Sequence, residues 1–446
     1  MALTGIEIFK LLPKTNCKEC GFPTCLAFAM ALASGKAELE ACPYVSEEAK
    51  EKLAEAAAPP IRPVKIGMKE EVKTIGGETV MFRHEKTFYN PTLIAGLLTT
   101  AMPDAEVDAK IDTFNKLQFE RIGLNLRPEM LAIKDADGDA GKFTALVKKV
   151  MEKSDAALML ISDNPEVLKA GAEVAKERRP VLYAATPDNA DNMGALAKEL
   201  DLPLVAKANN YDTLAELTTK LTDMGLKDLL LDSEARTLKA AFQDQIVFRR
   251  AALVPKFRPF GFPTVAFPCE MTNDPMMEAL YAATFIAKYS GIVVLSDLTP
   301  HAIFPLLLER LNIYTDPQKP MIVTPGIYPL NNPDENSPIA VTTNFALTYF
   351  IVSGEIEGSK VPTWLLIKDT EGLSVMTAWA AGKFSGDDVG MFVKKCGITE
   401  KAKNRTLIIP GYAAAISGDL EEELPDWKIL IGPREASHIP AFLRSL

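Results

Sequence analysis

The sequence predicts an α/β protein of three parts: a small cysteine-rich domain, a central (β/α)8 TIM-like barrel and a C-terminal open, Rossmann-like α/β domain. Four of the six cysteines lie at the start of the 446-residue chain. Short apolar runs then alternate with helical patterns over about 240 residues, the length of one barrel of about eight such units. A shorter alternation follows to the C-terminus and predicts a small parallel sheet.

Composition and charge restrict the class of protein. The chain is 48% hydrophobic and 24% charged, as in globular proteins, and its net charge is −10. It has no long basic run, so nucleic acid is not an expected partner. It also lacks an apolar stretch of about 18 residues and a signal-peptide pattern, so a cytoplasmic protein with no membrane partner is predicted. Thiols stay reduced there, which favours metal ligands over disulfides.

The cysteine-rich segment has the pattern C-x2-C-x4-C-x16-C. Four thiolates can close a tetrahedral zinc site or hold an iron–sulfur cluster. Three ligands in one loop and one distant ligand are typical of a 4Fe–4S cubane; Gly21 leaves room for sulfide, and Pro43 follows the last cysteine as in bacterial ferredoxins. Structural zinc and redox-active thiols remain open alternatives. The predicted metal ligands are Cys17, Cys20, Cys25 and Cys42.

Domain boundaries follow from changes of pattern along the chain. Helical patterns cover residues 25–38 and 46–58, and alternating runs around Gly76–Gly77 predict a hairpin. The proline-rich segment PGIYPLNNPDENSP, residues 325–338, predicts a linker and a hinge. The predicted parts are a cluster domain at 1–58, a hairpin linker at 59–87, the barrel at 88–325 and the last domain at 326–446.

Nine apolar runs in the predicted barrel are candidate strands: TLIAGLL, ERIGLNL, ALMLIS, PVLYAAT, PLVAKAN, DLLLDS, TVAFPCE, GIVVLSD and PMIVTP. Function in a barrel gathers at the carboxyl ends of its strands. The runs contain no HExxH motif, and the chain has only three histidines, so a barrel that serves as scaffold or docking face is an equal alternative. Several runs end in a polar residue, namely Asp163, Asn209, Asp232, Glu270 and Asp297. Isolated Cys269 and Cys396 are expected to be buried small hydrophobes.

The last domain contains four further strand patterns, PIAVTT, WLLIKD, TLIIPG and KILIGP. Ligands of open α/β sheets lie outside the carboxyl ends of the strands, near helix N-termini. The strand exits are rich in Gly, Thr, Ser and Asn, which suit a ligand with many amides or a phosphate, or serve only as turns and caps. No dinucleotide or phosphate-loop motif is present. The exits are residues 342–344, 369–374, 410–412 and 432–435.

Two sets of motifs together resemble one known family. The motif TNCKECGFPTC…ACPY and the tail segments VTTNFALTYFIVSGEIE, WLLIKDTEGLSVMTAWAAGKFSG and IGPREA are similar to the large subunit of the corrinoid iron–sulfur proteins of the acetyl-CoA (Wood–Ljungdahl) pathway. The resemblance covers essentially the whole chain, in the order cluster domain, barrel, corrinoid-binding domain. The combination of cluster motif and tail is more specific than the cluster motif, which also occurs in other redox proteins.

The resemblance implies a methyl carrier. In that family Co(I) of a corrinoid accepts a methyl group from methyltetrahydrofolate through a separate methyltransferase, and the methyl-Co(III) form delivers it to acetyl-CoA synthase. The implied partners are a small barrel subunit in a heterodimer, that methyltransferase, acetyl-CoA synthase/CO dehydrogenase and a low-potential electron donor. No catalytic side chain is implied, because cobalt is the nucleophile.

The resemblance also implies the site residues. The four cysteines of the cluster motif would hold the 4Fe–4S cluster, which reductively reactivates Co(II). The implied corrinoid contacts are Thr342, Thr343, Asn344, Thr348, Thr370, Glu371, Gly372, Leu373, Ser374, Gly411, Gly432 and Pro433. The D-x-H-x-x-G motif that supplies a cobalt-binding histidine in other corrinoid proteins is missing. We therefore expect a base-off corrinoid without a protein histidine ligand, which makes reduction to Co(I) easier because axial ligation tunes metal potentials.

Two alternatives remain open. The barrel could itself be a pterin-dependent methyltransferase, with Asn125, Asp163 and Asn209 near predicted strand ends. In the second alternative the chain is a non-catalytic electron carrier and its tail is a docking module.

Overall fold

The computed structural model describes residues 5–33, 37, 39–46, 49, 53, 59–67, 72–121 and 124–446. These residues form two compact units, one within 1–117 and 127–314 and the other within 118–126 and 315–446. No helix in these ranges combines the length and apolarity needed to cross a bilayer.

The cysteine-rich region contains two short helices, α1 (Gly5–Leu11) and α2 (Cys25–Ala33). Their apolar faces share a small core with Cys25 and Cys42, and Phe28 is its fully buried centre. Helix α2 therefore confirms the first part of the helix predicted at 25–38. The helix predicted at 46–58 lies mostly outside the described residues.

The predicted hairpin is present as an antiparallel pair, β1 (Val64–Ile66) and β2 (Lys73–Ile75). Val64, Ile66 and Ile75 are fully buried in the same hydrophobic cluster as the inward-facing residues of the barrel strands. The hairpin is thus part of the barrel core, because its apolar side chains close that core at one end.

The barrel is closed by eight parallel strands in the order β3-β6-β7-β8-β9-β10-β11-β12. Alternating strands and helices produce this arrangement, as the sequence predicts. The elements of this region are β3 (Leu93–Thr99), α3 (Asp104–Lys116), β4 (Phe119–Arg121), β5 (Leu124–Leu126), β6 (Met130–Lys134), α4 (Ala140–Lys153), β7 (Ala157–Ile161), α5 (Pro165–Ala175), β8 (Val181–Ala185), α6 (Ala190–Leu200), β9 (Leu204–Lys207), α7 (Tyr211–Asp223), β10 (Leu229–Asp232), α8 (Leu238–Leu253), β11 (Thr264–Ala266), α9 (Pro275–Ala287), β12 (Ser290–Leu295) and α10 (Pro300–Ile313).

Seven of the nine predicted barrel strands are confirmed, and two are wrong. The two halves of the run ERIGLNL pair with each other as the hairpin β4–β5 and form no barrel strand. This hairpin belongs to the C-terminal unit. The run PMIVTP contributes no barrel strand. The barrel strand that the sequence analysis missed is β6, MLAIK. Asn125 consequently lies on the hairpin and not at a barrel strand end.

The C-terminal unit is a five-stranded sheet in the order β13-β15-β14-β16-β17, with β13 antiparallel at one edge. Its two faces have separate hydrophobic cores. One face packs against α11 and α16, since the core on that side includes residues of both helices. The elements are β13 (Gly326–Leu330), β14 (Ile339–Thr343), α11 (Ala346–Ser359), β15 (Thr363–Lys368), α12 (Val375–Ala380), α13 (Gly386–Lys395), α14 (Ile398–Lys401), β16 (Thr406–Ile409), α15 (Ser417–Glu423), β17 (Lys428–Ile431) and α16 (Ile439–Arg444).

The linker predicted at 325–338 is wrong. This segment forms edge strand β13 and a turn that is held by side chains of the same unit. Pro329 is tolerated because proline is confined to edge strands, where the missing donor costs nothing. The indole of Trp364 donates to the carbonyl of Asp334 (2.9 Å), and Lys403 pairs with Glu335 (2.8 Å).

Candidate functional site

A cavity of about 350 Å³ lies at the carboxyl ends of β14 and β16 and beside the loop after β17. It opens between the sheet and helices α11 and α16, on the edge where open α/β sheets bind ligands. Its floor is apolar, and buried Ile356, Ile408 and Leu443 belong to it. Its lining residues are Ala340, Val341, Thr342, Thr348, Ile351, Val352, Ile356, Val375, Ile408, Ile409, Pro410, Tyr412, Gly432, Pro433, Arg434, Glu435, Ala436, Ile439, Phe442 and Leu443.

Two buried threonines end strand β14 without hydrogen-bond partners. Within the described part of the chain, the hydroxyl oxygens of Thr342 and Thr343 have no partner, although both residues are almost fully buried. A buried hydroxyl without a partner costs about 1–3 kcal/mol, so such groups call for a ligand or water. Thr342 lines the cavity. Neighbouring strand residues point to opposite faces, so Thr343 points away from it.

The rim of the cavity is polar. The Tyr412 hydroxyl donates to Oε1 of Glu435 (3.0 Å), and this hydrogen bond raises the pKa of Tyr412. The Arg434 guanidinium lies 5.9 Å from the Tyr412 ring centre. A ligand with an apolar end and a charged or polar part suits this arrangement.

The loop after β15, residues 369–374, holds five of the predicted contacts. Its conformation depends on Asn344, whose side-chain oxygen accepts from the backbone N–H groups of Thr370 (2.9 Å) and Gly372 (3.0 Å). Glu371 forms an ion pair with Lys383. The Ser374 hydroxyl lies 3.1 Å from that of Thr377 at the start of α12.

Glycine is required at two of the predicted positions. Gly372 has φ +76°, and a Cβ there would lie 2.6 Å from Ile322 Cγ2. A Cβ on Gly411 would lie 2.5 Å from the carbonyl oxygen of Gly432, so these two loops approach too closely for a side chain. Gly411 therefore serves packing between the loops that border the cavity.

The structure groups the predicted corrinoid residues into two sets. Four of them line the cavity: Thr342, Thr348, Gly432 and Pro433. The others lie on the adjoining strand end and loops. Sequence reasoning missed most of the apolar lining, including Ile351 and Val352 on α11. The apolar character of NFALTYFIVSGEIEG was a usable signal, since Ile351 and Val352 of that helix line the cavity.

Exposed apolar side chains surround these loops. Large apolar groups are rarely clustered on a surface without a partner or ligand. The residues concerned are more than two-fifths exposed: Ile322, Leu347, Ile351, Met376 and Trp379.

The four predicted cluster cysteines lie in or beside the N-terminal core. Cys25 and Cys42 are buried, Cys20 is half-buried and Cys17 is exposed. Asn16 fixes the loop, since its side chain accepts from the Cys25 backbone (2.8 Å) while its own N–H points at the Cys25 sulfur (3.4 Å). An amide donor to a cysteine sulfur suits an iron–sulfur ligand. Across the described ranges, no three Cys, His, Asp or Glu side chains converge as single-ion ligands would.

The mouth of the barrel is filled by the protein's own charged groups. Arg236 donates to both oxygens of buried Asp232 (3.1 and 2.9 Å) and to Glu270 (2.5 Å), and Lys134 donates to Glu270 (3.1 Å). The Tyr183 hydroxyl donates to Asp232 (2.5 Å); burial and that carboxylate raise the pKa of Tyr183. These groups satisfy one another's charges and hydrogen bonds within the protein.

The remaining polar strand ends of the barrel are separate from this network. Asp163 and Asn209 are exposed beyond β7 and β9. Asp297 pairs with Lys110 (3.2 Å). Cys269 packs against the barrel core, and burial raises its pKa to about 12, in line with a small hydrophobe. Cys396 is half-buried beside the core of the other unit.

Fold and site together define a class: a barrel protein that carries a separate α/β domain with a ligand cavity and a cysteine-rich N-terminal segment. Residues 63–443 match the family model "CO dehydrogenase/acetyl-CoA synthase delta subunit". Residues 12–44 match the model "Putative Fe-S cluster".

Relatives match over the whole chain. It is 44% identical to the corrinoid/iron-sulfur protein large subunit of Moorella thermoacetica, covering 100% of this chain and 99% of that protein. It is 36% identical to the acetyl-CoA decarbonylase/synthase complex subunit gamma of Methanopyrus kandleri, covering 99% of this chain and 97% of that protein. The chain belongs to the family of these large and gamma subunits.

Among solved structures, 7,8-dihydropteroate synthase from Vibrio fischeri has a TM-score of 0.38 and 13% identity. The match covers 57% of this chain and 99% of that one. This likeness is too slight to support an inference about ligands.

Proposed function

We propose that this chain is a corrinoid-dependent methyl carrier. It would receive a methyl group from methyltetrahydrofolate through a separate methyltransferase and deliver it to acetyl-CoA synthase. The observation that carries the proposal is the cavity at the strand ends of the C-terminal unit, lined by the unpartnered Thr342 hydroxyl. When bound, the corrinoid supplies cobalt(I) as the nucleophile, so no side chain is given a catalytic role.

Different residues around the cavity would bind different parts of the corrinoid. The apolar floor would receive the detached tail, and the Thr342 hydroxyl would gain the hydrogen bond that it lacks. Loop 369–374 and exposed Ile351, Met376 and Trp379 would lie against the ring and exclude water from it. The remaining predicted contacts would shape these loops.

We propose that cobalt has no histidine ligand from this chain. His438 is the only histidine in residues 315–446; it is exposed in the turn before α16 and does not line the cavity. His84 and His301 belong to the other unit. If the corrinoid is bound base-off and this chain supplies no strong axial donor, reduction to cobalt(I) would be easier, since axial ligation controls metal potentials.

The four N-terminal cysteines would hold a 4Fe–4S cluster. When bound, that cluster would supply the single electrons, taken from a low-potential donor, that return cobalt(II) to cobalt(I). Replacing Cys20 with alanine should spare methyl transfer by the pre-reduced protein but block reductive reactivation. Loss of transfer from the pre-reduced variant, with its fold intact, would contradict this role.

We infer the partners from the family, and for the small barrel subunit we also infer a binding surface. The outer face of α9 and α10 has an apolar groove of about 300 Å³, where Met276 and Leu280 are exposed. We propose that the small barrel subunit covers this groove in a heterodimer. Leu280→Asp should weaken co-purification of that subunit, whereas Val254→Asp, at another exposed apolar residue, should not.

An absorption spectrum with cobalt and iron analysis tests the proposed function. The purified complex should contain cobalt and show corrinoid bands beside a broad iron–sulfur shoulder. A shoulder without corrinoid bands or cobalt would favour the electron carrier. Methyl transfer from methyltetrahydrofolate to free cobalamin by this chain without its partners would favour a methyltransferase site in the barrel.

A further inference from the structure

A short segment of the C-terminal unit crosses the loops at the end of β14. We call residues 320–323 the strap. The N–H of Val323 donates to the carbonyl of Asn344 (2.9 Å), and the N–H of Ala346 donates to the carbonyl of Met321 (2.9 Å). Ile322 also forms an isolated antiparallel bridge with Phe345. The strap is therefore fixed to the turn between β14 and α11.

The side chain of Asn344 is buried and hydrogen-bonded through both its oxygen and its amide nitrogen. Its oxygen accepts from the N–H groups of Thr370 and Gly372, and the Thr370 hydroxyl lies 3.0 Å both from this oxygen and from the carbonyl of Leu373. Its amide nitrogen donates to Oδ1 of Asp369 (2.9 Å), and its backbone N–H donates to the carbonyl of Lys368 (3.0 Å). Asn344 has 0% exposure and does not line the cavity. Its influence on a ligand must pass through the loop.

The strap and the loop also touch directly. A Cβ on Gly372 would lie 2.6 Å from Ile322 Cγ2 and 2.7 Å from Pro320 Cγ. Gly372 has φ +76°, so this position needs glycine for its backbone as well as for space. Asn344 is thus bonded to the strap through its backbone and to the loop through its side chain, and the two segments pack against each other.

We propose that Asn344 is a positioning residue that ties the strap 320–323 to loop 369–373 and makes them one wall of the corrinoid site. This inference rests on the proposed function. The strap lies just after the boundary between the two units at Tyr314/Thr315. The tie through Asn344 therefore joins the loop to the chain segment that enters the C-terminal unit.

The variant Asn344→Asp tests the tie with little change of shape. An introduced carboxylate keeps the accepting oxygen but loses the donor to Asp369 and adds a like charge beside it. When protonated, the carboxyl can donate again, so the defect should be reversed by acid. The other charged groups there are Lys368, whose Nζ donates to the carbonyl oxygens of Asp369 (3.1 Å) and Lys383 (2.9 Å), and Glu371, which pairs with Lys383.

The expected result is a pH-dependent defect. Corrinoid affinity should fall about tenfold at pH 8 and recover at about pH 5, since one lost buried hydrogen bond is worth roughly that factor. The absorption spectrum of the bound corrinoid should change over the same pH range, whereas the wild type should show neither change. A purely structural role would lower stability without moving the spectrum.

The matched control is Asn331→Asp. Asn331 donates to the carbonyl oxygens of Ile356 (2.8 Å) and Val361 (3.1 Å) and takes no part in the strap or the loop. The same chemical change there should lower the stability of the unit while affinity and spectrum stay independent of pH. A similar pH dependence in both variants would overturn the proposal.

A second measurement needs no cofactor. Amide hydrogen exchange at Val323, Thr370 and Gly372 should accelerate together in Asn344→Asp at pH 8, and about tenfold relative to wild type after correction for intrinsic rates. Unchanged exchange at Val323 would show that strap and loop are independent, and would overturn the tie. If the wild type takes up no corrinoid, the proposed function fails, and the exchange data still decide whether Asn344 joins the two segments.

Discussion

The barrel and the C-terminal sheet both present the carboxyl ends of parallel strands, yet the polar side chains at these two edges differ in whether they have partners. At the barrel mouth, Arg236 fills the space between Asp232 and Glu270, and each of these charges has a partner. At the sheet edge, a cavity of about 350 Å³ is open and Thr342 keeps an unpartnered hydroxyl. The polar groups of the first edge pair with one another, whereas at the second edge a buried hydroxyl has no partner.

This difference shows why polar residues at strand ends are an ambiguous signal. Apolar runs lead to each of three polar residues, Asp232, Glu270 and Thr342. From the sequence alone, each of them is an equally good candidate for binding a ligand. What separates them is whether the polar atoms satisfy one another, because a buried group without a partner is costly and a paired one is not. The contacts among these barrel residues therefore favour the alternative that the barrel serves as a scaffold or docking face.

The largest effect is expected at the barrel mouth. Arg236→Met would leave the buried Asp232 carboxylate without its cation, which should lower the free energy of unfolding of the barrel unit by about 3 kcal/mol. Far-UV circular dichroism during urea unfolding measures this. Fluorescence reports the other unit separately, since Trp364, Trp379 and Trp427 all lie there.

Lys394→Met is the control for that change, because its ion pair with Glu423 is exposed and should cost less than about 1 kcal/mol. Corrinoid uptake should be normal in Arg236→Met. Tight binding of methyltetrahydrofolate by the wild-type barrel would contradict the view that the mouth is filled.

The next effect is expected at the sheet edge. Ala340→Phe places an aromatic ring in the cavity where Ala340 lines it, so corrinoid affinity should fall about 100-fold, equivalent to roughly 2.7 kcal/mol. Equilibrium binding of the corrinoid to the cofactor-free complex measures this. The change in tryptophan fluorescence on unfolding should show that the unit is still folded. Normal affinity in a folded variant would place the corrinoid elsewhere.

For Thr342→Val we expect smaller effects, of opposite sign on the stability of the unit and on corrinoid affinity. The isosteric change removes an unpartnered hydroxyl, so the cofactor-free unit should be unchanged or stabilised by up to about 1 kcal/mol, while corrinoid affinity falls roughly tenfold. Thr363→Val is the matched control. The hydroxyl of buried Thr363 already donates to the carbonyl of Val361 (3.1 Å), so its loss should destabilise the unit and leave affinity alone. Destabilisation by both variants would show that Thr342 has a partner in the free protein.

Much of the fold could be predicted because it depends on periodicity. The buried runs ALMLIS and GIVVLSD, and the four parallel strands of the last domain, are continuous and apolar, as strands covered on both faces must be. The failures were at segments whose strand partner the pattern does not reveal. ERIGLNL pairs with itself as a hairpin, MLAIK pairs with β3 as a barrel strand, and the prolines of 325–338 suit an edge strand as well as a linker.

The candidate site could be predicted only in part. The strand-exit rule located the loops at 342–344, 369–374 and 432–435, and glycine and threonine content marked them. The rule could not separate residues that contact a ligand from residues that hold the loops in place. The burial of Asn344 and the unpartnered hydroxyl of Thr342 depend on how separate loops pack together. Arg434 lies in the predicted exit 432–435 and Val352 in the segment VTTNFALTYFIVSGEIE, but neither was predicted as a contact; their positions on the cavity wall identify them.

The smallest effect is expected for an exposed pair, which sets the scale for the buried one at the barrel mouth. Arg127 donates to both oxygens of Asp155 (2.8 and 2.6 Å), and this hydrogen bonding holds the pKa of Asp155 below its usual value. A depressed folded-state pKa contributes stability above the unfolded-state pKa, and that contribution is lost as pH falls through the folded-state value.

Asp155→Asn should therefore cost about 0.5 kcal/mol at pH 7, because the side chain of Asp155 is 46% exposed and solvent screens the pair. The cost should shrink between about pH 5 and pH 3 as the wild-type carboxyl takes up its proton. Urea unfolding of the barrel unit across this range, followed by circular dichroism, measures it. A cost equal to that of Arg236→Met would mean that burial does not set the difference between the two pairs, and the contrast between a filled mouth and an open edge would lose its energetic basis.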